Sequence, residues 1–292
     1  MSDNEDERGC NEFAEMIEQL EKAIDMVETH KKENYAMPKE YYNMFMSEET
    51  SDEEKVLSYK GFALFTSTDD EFYKSFVKGK LRNLFPFFEE HFERPFTDWT
   101  LMLLKCCFKD KKPSEKIIDG ICSTITMTLD EDQHPTKALN ESFLLLHKTF
   151  VLYPDLVDVI VKSDSFQSGR FVQGLILELI FTDFKESLYS MCLDLLGVLF
   201  GRPDTEGCLY INDLNVLLSD VFPALCRATN NVVEVVMNKM CTVLIPILKI
   251  GRINPQYEEV QTFDESLQAL LDNNTEDVDI VRELQQLSNP LN

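Results

Sequence analysis

The stretch CLYINDLNVLLS, residues 208–219, decides the fold that the sequence predicts. A polar, turn-forming segment leads into it from Asp204 to Gly207, and Asn212 is of the type that caps the start of a helix. Apolar residues then recur at spacings of three and four: Leu214, Leu217, Leu218, Val221 and Phe222. This is the period of an amphipathic helix, so the stretch predicts a capped helix with one buried face.

The order of features around this helix is more specific than the helix itself. An apolar pattern ends in Leu199-Phe200, a Gly201-Arg202-Pro203 break follows, and Tyr210 stands just before the Asn212-Asp213-Leu214 start. This order resembles the leucine-rich, armadillo-like domain of the WISH/DIP/SPIN family, across 138–271 and most clearly across 193–221. The resemblance implies a protein that binds the actin-related protein 2/3 complex and activates it without a pre-existing filament, nucleating linear actin filaments. Contact with actin filaments would then be indirect.

Paired helical patterns recur along the chain at the period of HEAT and armadillo arrays. From Thr97 the predicted pairs are 97–108 with 113–129, 135–153 with 154–163, 171–181 with 183–200, 212–227 with 231–248, and 256–271 with 275–287. No alternating apolar run is long enough for a strand. The sequence therefore predicts an all-α, armadillo/HEAT-like helical solenoid over 97–292, after a disordered acidic tail at 1–10 and an N-terminal helical region at 11–96.

The N-terminal region carries its own helix signals. From Asn11 a narrow apolar stripe predicts a helix that docks onto one neighbour, and Ser51 with Glu54 forms a capping-box pattern. Pro86 and Pro95 bracket an aromatic cluster at which the chain is expected to change direction. We place the boundary with the repeat region there.

Charge and cysteine usage limit the classes of partner. The net charge is −24, with 17 acidic against 7 basic residues in 1–60 and 9 against 1 in 255–292. Acidic ends argue against nucleic acid and against anionic membranes. The eight cysteines show no disulfide framework, and no apolar stretch predicts membrane insertion, so we expect a cytosolic or nuclear protein; the resemblance favours a cytoplasmic one. The resemblance places it at cortical actin structures. The basic stretch Lys105 to Lys116 is expected to be a solvated turn, and it is the one place where an acidic partner is expected to dock.

Enzyme signals are weak throughout the chain. There is no nucleotide-binding glycine motif, zinc-protease motif or nucleophile elbow, and the histidines lack metal-ligand spacing. Glu178 and Asp194 lie within apolar runs, where the simpler interpretation is the polar face of a helix. We predict no catalytic residue, no cofactor and no metal, and hence a protein that is not an enzyme.

The candidate partner-binding residues are those that the predicted fold does not require: Arg202, Tyr210, Asn212, Asp213, Lys249 and Arg252. Arginine and tyrosine are enriched at interface hot spots. Simpler roles stay open for most of the six, since Tyr210 is placed to pack on the helix it precedes and Asn212 to cap it. Lys249 and Arg252 are placed to neutralise a helix C-terminus. The alternative function is an armadillo/HEAT-type scaffold in another process, such as trafficking or phosphatase regulation.

Overall fold

The computed structural model describes residues 35–92, 95–131, 136–183, 185–205, 208–227, 231–250, 257–272 and 278–288. All regular elements in these ranges are helical, which confirms the all-α class. The expected acidic tail, the apolar stripe that follows it and Arg252 lie outside the described residues. Within the described ranges, no helix combines the length and apolar character that crossing a membrane requires. The chain divides into two compact units, Met1–Lys112 and Pro113–Asn292.

The first unit contains five described α-helices: α1 Ala36–Phe45, α2 Asp52–Thr68, α3 Asp70–Ser75, α4 Leu81–Glu90 and α5 Thr97–Cys107, with a 3₁₀ turn at Val77–Lys80. The long helix α2 lies against both α1 and α5. Because α5 packs on α2, the first unit continues past the boundary expected after residue 96 and ends at Lys112.

Aromatic side chains form the centre of the first unit. The Phe45 ring is 1% exposed and contacts the rings of Tyr42, Tyr59, Phe62 and Phe87 at centroid distances of 5.4, 5.0, 5.2 and 5.1 Å. Tilted and edge-on ring pairs at such distances add to the free energy gained from burying apolar area. The five rings come from three helices, so this cluster joins α1, α2 and α4.

Two local predictions for the first unit have different outcomes. The capping box at the start of α2 is confirmed, because Ser51 Oγ accepts from the Glu54 N–H and the Glu54 carboxylate accepts from the Ser51 N–H. The change of direction expected between Pro86 and Pro95 does not begin at the first proline, since Pro86 lies inside α4, which ends at Glu90 before α5 begins at Thr97. The helix continues through the proline because Phe85, Phe87 and Phe88 on either side of it are buried.

The second unit is built from four helical hairpins and a short insertion. The hairpins are α6 Glu115–Glu131 with α7 Lys137–Leu152, α10 Arg170–Phe181 with α11 Ser187–Phe200, α12 Ile211–Val216 and α13 Phe222–Arg227 with α14 Asn231–Ile250, and α15 Tyr257–Asp272 with α16 Val278–Ser288. The insertion holds a 3₁₀ turn at Pro154–Leu156 and the short helices α8 Val157–Lys162 and α9 Asp164–Gln167, which pack on α6.

Helices at equivalent positions in successive hairpins pack side by side. The second helices follow one another as α7, α11, α14 and α16, and the first helices as α6, α10, the α12–α13 run and α15. The last three hairpins match the predicted pairs 171–181 with 183–200, 212–227 with 231–248, and 256–271 with 275–287. The first hairpin and the insertion differ from the prediction, in which 135–153 pairs with 154–163 and residues 113–129 close a pair with 97–108. In the structure that helix, α6, instead opens a hairpin with α7, because α5 already buries its apolar face in the first unit.

Candidate functional site

A groove of 740 Å³ crosses the second helices of three successive hairpins, α7, α11 and α14. Its walls include three exposed valines, one from each helix: Val151 (67% exposed), Val198 (46%) and Val235 (59%). Valine side chains this exposed gain little from folding, and a concave apolar surface of this size is typical of a binding site. The groove is therefore the candidate functional site of the second unit.

Polar side chains cross the floor of the groove in one connected cluster. Lys239 Nζ on α14 donates to Asp194 Oδ2 and to Ser190 Oγ on α11, both at 2.7 Å. His147 Nε2 on α7 lies 3.4 Å from the same Asp194 oxygen. Asp194 thus links all three helices, and its carboxylate side chain remains 37% exposed. The cluster gives an otherwise apolar groove a fixed polar position that orients a ligand.

Sequence reasoning missed this site. Asp194 is expected only on the polar face of a helix, and no sequence motif points to His147 or Lys239. A signal was nevertheless present, because each of the three helices carries a polar and an apolar groove residue four positions apart: His147 and Val151, Asp194 and Val198, and Val235 and Lys239. Recognising it requires knowing which helices are neighbours, and the predicted pairing had α11 and α14 in the observed positions but made α7 the first helix of a pair.

Two of the six predicted partner-binding residues, Arg202 and Tyr210, make contacts that hold the loop before α12 in place. The Arg202 guanidinium contacts Asp158 Oδ1 at 2.8 Å and Asp204 Oδ2 at 2.9 Å. The Tyr210 hydroxyl donates to the Ser168 carbonyl at 3.2 Å, and its ring covers Gly169, which has a left-handed φ of 74°. Arg202 therefore ties this loop to α8, and Tyr210 ties it to the turn between α9 and α10.

The capping role expected for Asn212 is wrong. The helix α12 begins one residue earlier, at Ile211, and Tyr210 is the extended residue that precedes it. Asp213 at the third helical position reaches back, and its carboxylate accepts from the Tyr210 N–H at 3.3 Å. Asn212 is exposed within the first turn. A carboxylate at this position satisfies a backbone donor at the helix start, so no capping side chain is needed at Asn212.

Lys249 is engaged in an ion pair within the last two hairpins. Its Nζ contacts Glu283 Oε1 at 2.6 Å, which joins α14 to α16. With Arg202 and Tyr210 it belongs to contacts that hold neighbouring helices of the second unit together. The structure does not bring the predicted residues into the groove, and Arg252 lies outside the described residues.

Glu178 has the most perturbed carboxyl group described in the second unit. It is 0% exposed within α10, and burial raises its pKa to about 7, with the nearby Glu186 charge adding to the rise and a hydrogen bond from Thr182 opposing it. With the Asn140 side-chain amide oriented so that its nitrogen faces Glu178, this residue of α7 donates to Glu178 Oε2 at 3.1 Å. Glu178 does not line the groove, so this carboxyl group acts as an internal link between α10 and α7.

Metal chemistry finds no support in the residues that the structure describes, where no group of three or more histidine, cysteine or carboxylate side chains is placed to hold an ion. Comparison with protein-family models, with curated protein sequences and with solved structures gives no match for this chain. The functional argument therefore rests on the groove and on the residues around it.

Proposed function

We propose that the second unit is an armadillo/HEAT-like solenoid and that the chain is a protein-binding module without enzymatic activity. The side-by-side packing of equivalent helices in successive hairpins supports this proposal. In such arrays each hairpin buries its apolar face against the next, and a continuous surface is left for recognition. The polar cluster in the groove pairs internally, which suits an orienting role better than a catalytic one.

The groove is suited to an amphipathic helix of a partner. A helix presents apolar side chains at spacings of three and four residues. The three exposed valines, one from each helix that lines the groove, would contact these side chains. The Asp194 carboxylate at the floor would fix the register by accepting from a basic or hydroxyl group of that helix. The main observation in support of a helix-binding groove is the set of exposed valines along it.

The partner that we propose is the actin-related protein 2/3 complex. The support is the resemblance across 193–221, which includes the whole of α11 after Cys192 and the loop fastened by Arg202 and Tyr210. On this proposal the chain is cytoplasmic at cortical actin structures and nucleates linear filaments without a pre-existing one. Activation would require that the groove binds the active arrangement of the complex more tightly than the inactive one.

A pyrene-actin assay tests the partner and the groove together. It contains purified actin-related protein 2/3 complex and the full chain, without WASP-type activator or seed filaments, and the products are imaged. We expect faster assembly into unbranched filaments. Val198→Arg should abolish the acceleration by filling the groove, whereas Leu152→Arg is the matched control, since Leu152 is 47% exposed but lies outside the groove.

Absence of acceleration, together with absence of direct binding to the purified complex, would reject this partner. The second candidate function is then a scaffold in another process, such as trafficking or phosphatase regulation. The same groove supports this function, because its apolar walls can bind an amphipathic helix from a partner other than the actin-related protein 2/3 complex. Acceleration that Val198→Arg leaves unchanged would retain the partner and reject the groove as the contact surface.

A further inference from the structure

The first unit carries a concentrated basic surface on a strongly acidic protein. Residues 73–82 and 105–112 together contain eight basic residues and one acidic residue, Asp110. The remaining 20 basic residues share the rest of the chain with 51 acidic ones. We define the basic surface by these two segments, whose basic members are Lys74, Lys78, Lys80, Arg82, Lys105, Lys109, Lys111 and Lys112.

Several contacts bring the two segments together. Asp110 lies between them, accepting from Lys78 Nζ and from the Tyr73 hydroxyl, both at 2.6 Å. Lys111 Nζ donates to the Leu81 carbonyl at 3.2 Å. Asp110, the single acidic residue, therefore pairs with groups of the two segments themselves. The Lys78 ammonium lowers the pKa of the Asp110 carboxyl group, so this group stays ionised. Lys74 is also paired, with Asp70 just before the first segment, so the surface keeps an excess of basic charge that is partly compensated at Lys74 and Lys78.

Aromatic rings beneath the surface restrict several of its ammonium groups. Lys109 Nζ lies 5.8 Å from the Tyr73 ring centroid, and Lys111 Nζ lies 4.3 Å from that of Phe85. Lys80 Nζ lies 5.5 Å from both the Tyr42 and Phe76 rings. Cation–π contact holds each ammonium near one position, which reduces the entropy that a ligand must remove on binding.

We propose that this basic surface is a second binding site, independent of the groove, that takes a short acidic peptide segment of a partner protein. The positive charge of this surface favours an anionic ligand. The net charge of −24 of the whole chain repels anions, which limits the length of the ligand that can bind. Charges interact over about 8 Å at physiological ionic strength. A membrane or a long nucleic acid brings far more negative charge than eight basic residues can neutralise on a chain of net charge −24, whereas a segment of a few carboxylates matches the charge of the basic surface.

Fluorescence anisotropy with the full chain tests this site. The probe is a fluorescein-labelled decapeptide of alternating aspartate and glutamate, and its control has the same length with serine and glycine. We expect saturable binding of the acidic peptide that weakens as salt is raised. The double variant Lys80→Glu/Lys109→Glu should weaken it about tenfold or more, which corresponds to about 1.4 kcal/mol.

The matched control is Lys55→Glu/Lys60→Glu, which makes the same change of charge on α2 of the same unit. Lys60 lies over the Trp99 ring, at the opposite end of α5 from Lys109. Equal weakening by both double variants, or no binding of the acidic peptide, would overturn the proposal. Tighter binding to phosphoinositide vesicles or to duplex DNA than to the peptide, lost in Lys80→Glu/Lys109→Glu, would replace the acidic peptide with that ligand class. A circular dichroism spectrum of each variant checks that it is folded.

Discussion

The two units of this protein bury different kinds of side chain. Among the described residues, 12 of the 20 buried apolar side chains in the first unit are aromatic, against 7 of 47 in the second. Short helices of unequal length surround the rings of the first unit, while the second unit repeats a hairpin whose helices meet through leucine, isoleucine and valine. Large rings fill irregular space between few elements, whereas aliphatic side chains stack in layers that can be repeated.

This difference bears on where each unit can bind a partner. Repeated aliphatic layers place equivalent residues of α7, α11 and α14 in one line, and that alignment creates the groove. The ring cluster of the first unit has no such line. Its distinctive surface comes from lysines that lie over ring faces at the edge of the cluster. One unit offers a concave apolar surface and the other a charged one.

The largest effect that tests this comparison is expected from Phe45→Ala. Phe45 contacts four other rings, so its removal leaves a cavity in the middle of the first unit. We expect the free energy of unfolding to fall by about 4 kcal/mol, as measured by urea denaturation. Leu57→Ala on the exposed face of α2 is the control and should change it by less than about 0.5 kcal/mol. A loss below about 2 kcal/mol would show that the ring cluster is not the centre of this unit.

The second prediction concerns Glu178, a polar link inside the aliphatic unit. The folded state holds its proton up to a pKa of about 7, whereas the unfolded chain releases it near 4.5. The folded protein therefore binds more protons across this window, and stability falls as pH rises from about 4.5 to about 7, by at most about 3 kcal/mol.

Glu178→Gln should remove this part of the pH dependence, because glutamine does not titrate. Urea denaturation at pH 5 and pH 7.5 measures the difference in slope between variant and parent. The control is Glu258→Gln, which changes an exposed carboxylate of α15 and should leave the slope intact. Parallel pH profiles for Glu178→Gln and the parent would contradict the assignment.

The third prediction tests the fastening of the loop before α12. Gly169 has a positive φ, and a Cβ there would meet the Tyr210 ring, so Gly169→Ala should cost about 2 kcal/mol. In a Tyr210→Ala background the clash is absent, and the cost should fall to about 1 kcal/mol from the backbone strain. Thermal or urea unfolding of the four proteins in this cycle gives the coupling. Purely additive costs would show that the ring does not rest on Gly169.

The smallest effect is expected from Arg202→Ala. Its ion pairs with Asp158 and Asp204 are largely solvated, and such pairs contribute little to stability. We expect Tm to fall by no more than about 2 °C. Because salt screens the ion pairs, the Tm of the parent protein should approach that of the variant as the salt concentration is raised. A larger fall that salt leaves unchanged would mean that Arg202 acts through packing.

The candidate site was less predictable than the elements that carry it. The sequence located α11 and α14 well, since their apolar residues recur at helical spacing over long runs. The predicted pairs from residue 171 onward match the observed hairpins, but those before it were displaced, because periodicity does not reveal that α5 packs back on α2. Because α7 was predicted as the first helix of a pair, His147 could not be recognised as a neighbour of Asp194 and Lys239. Tyr210 is predicted to contact a partner because of its position in a loop. The sequence did not show that its ring rests on Gly169, as it does in the structure.

By itself the sequence determined the all-α class, the capped start of α2 and the acidic balance of the chain, because periodicity, capping and charge are local properties. Only the tertiary structure decided which helices pair, which valines remain exposed and which lysines gather around Asp110. These outcomes depend on packing between residues far apart in the chain. For that reason both proposed binding surfaces are results of the fold, although each residue in them can be read from the sequence.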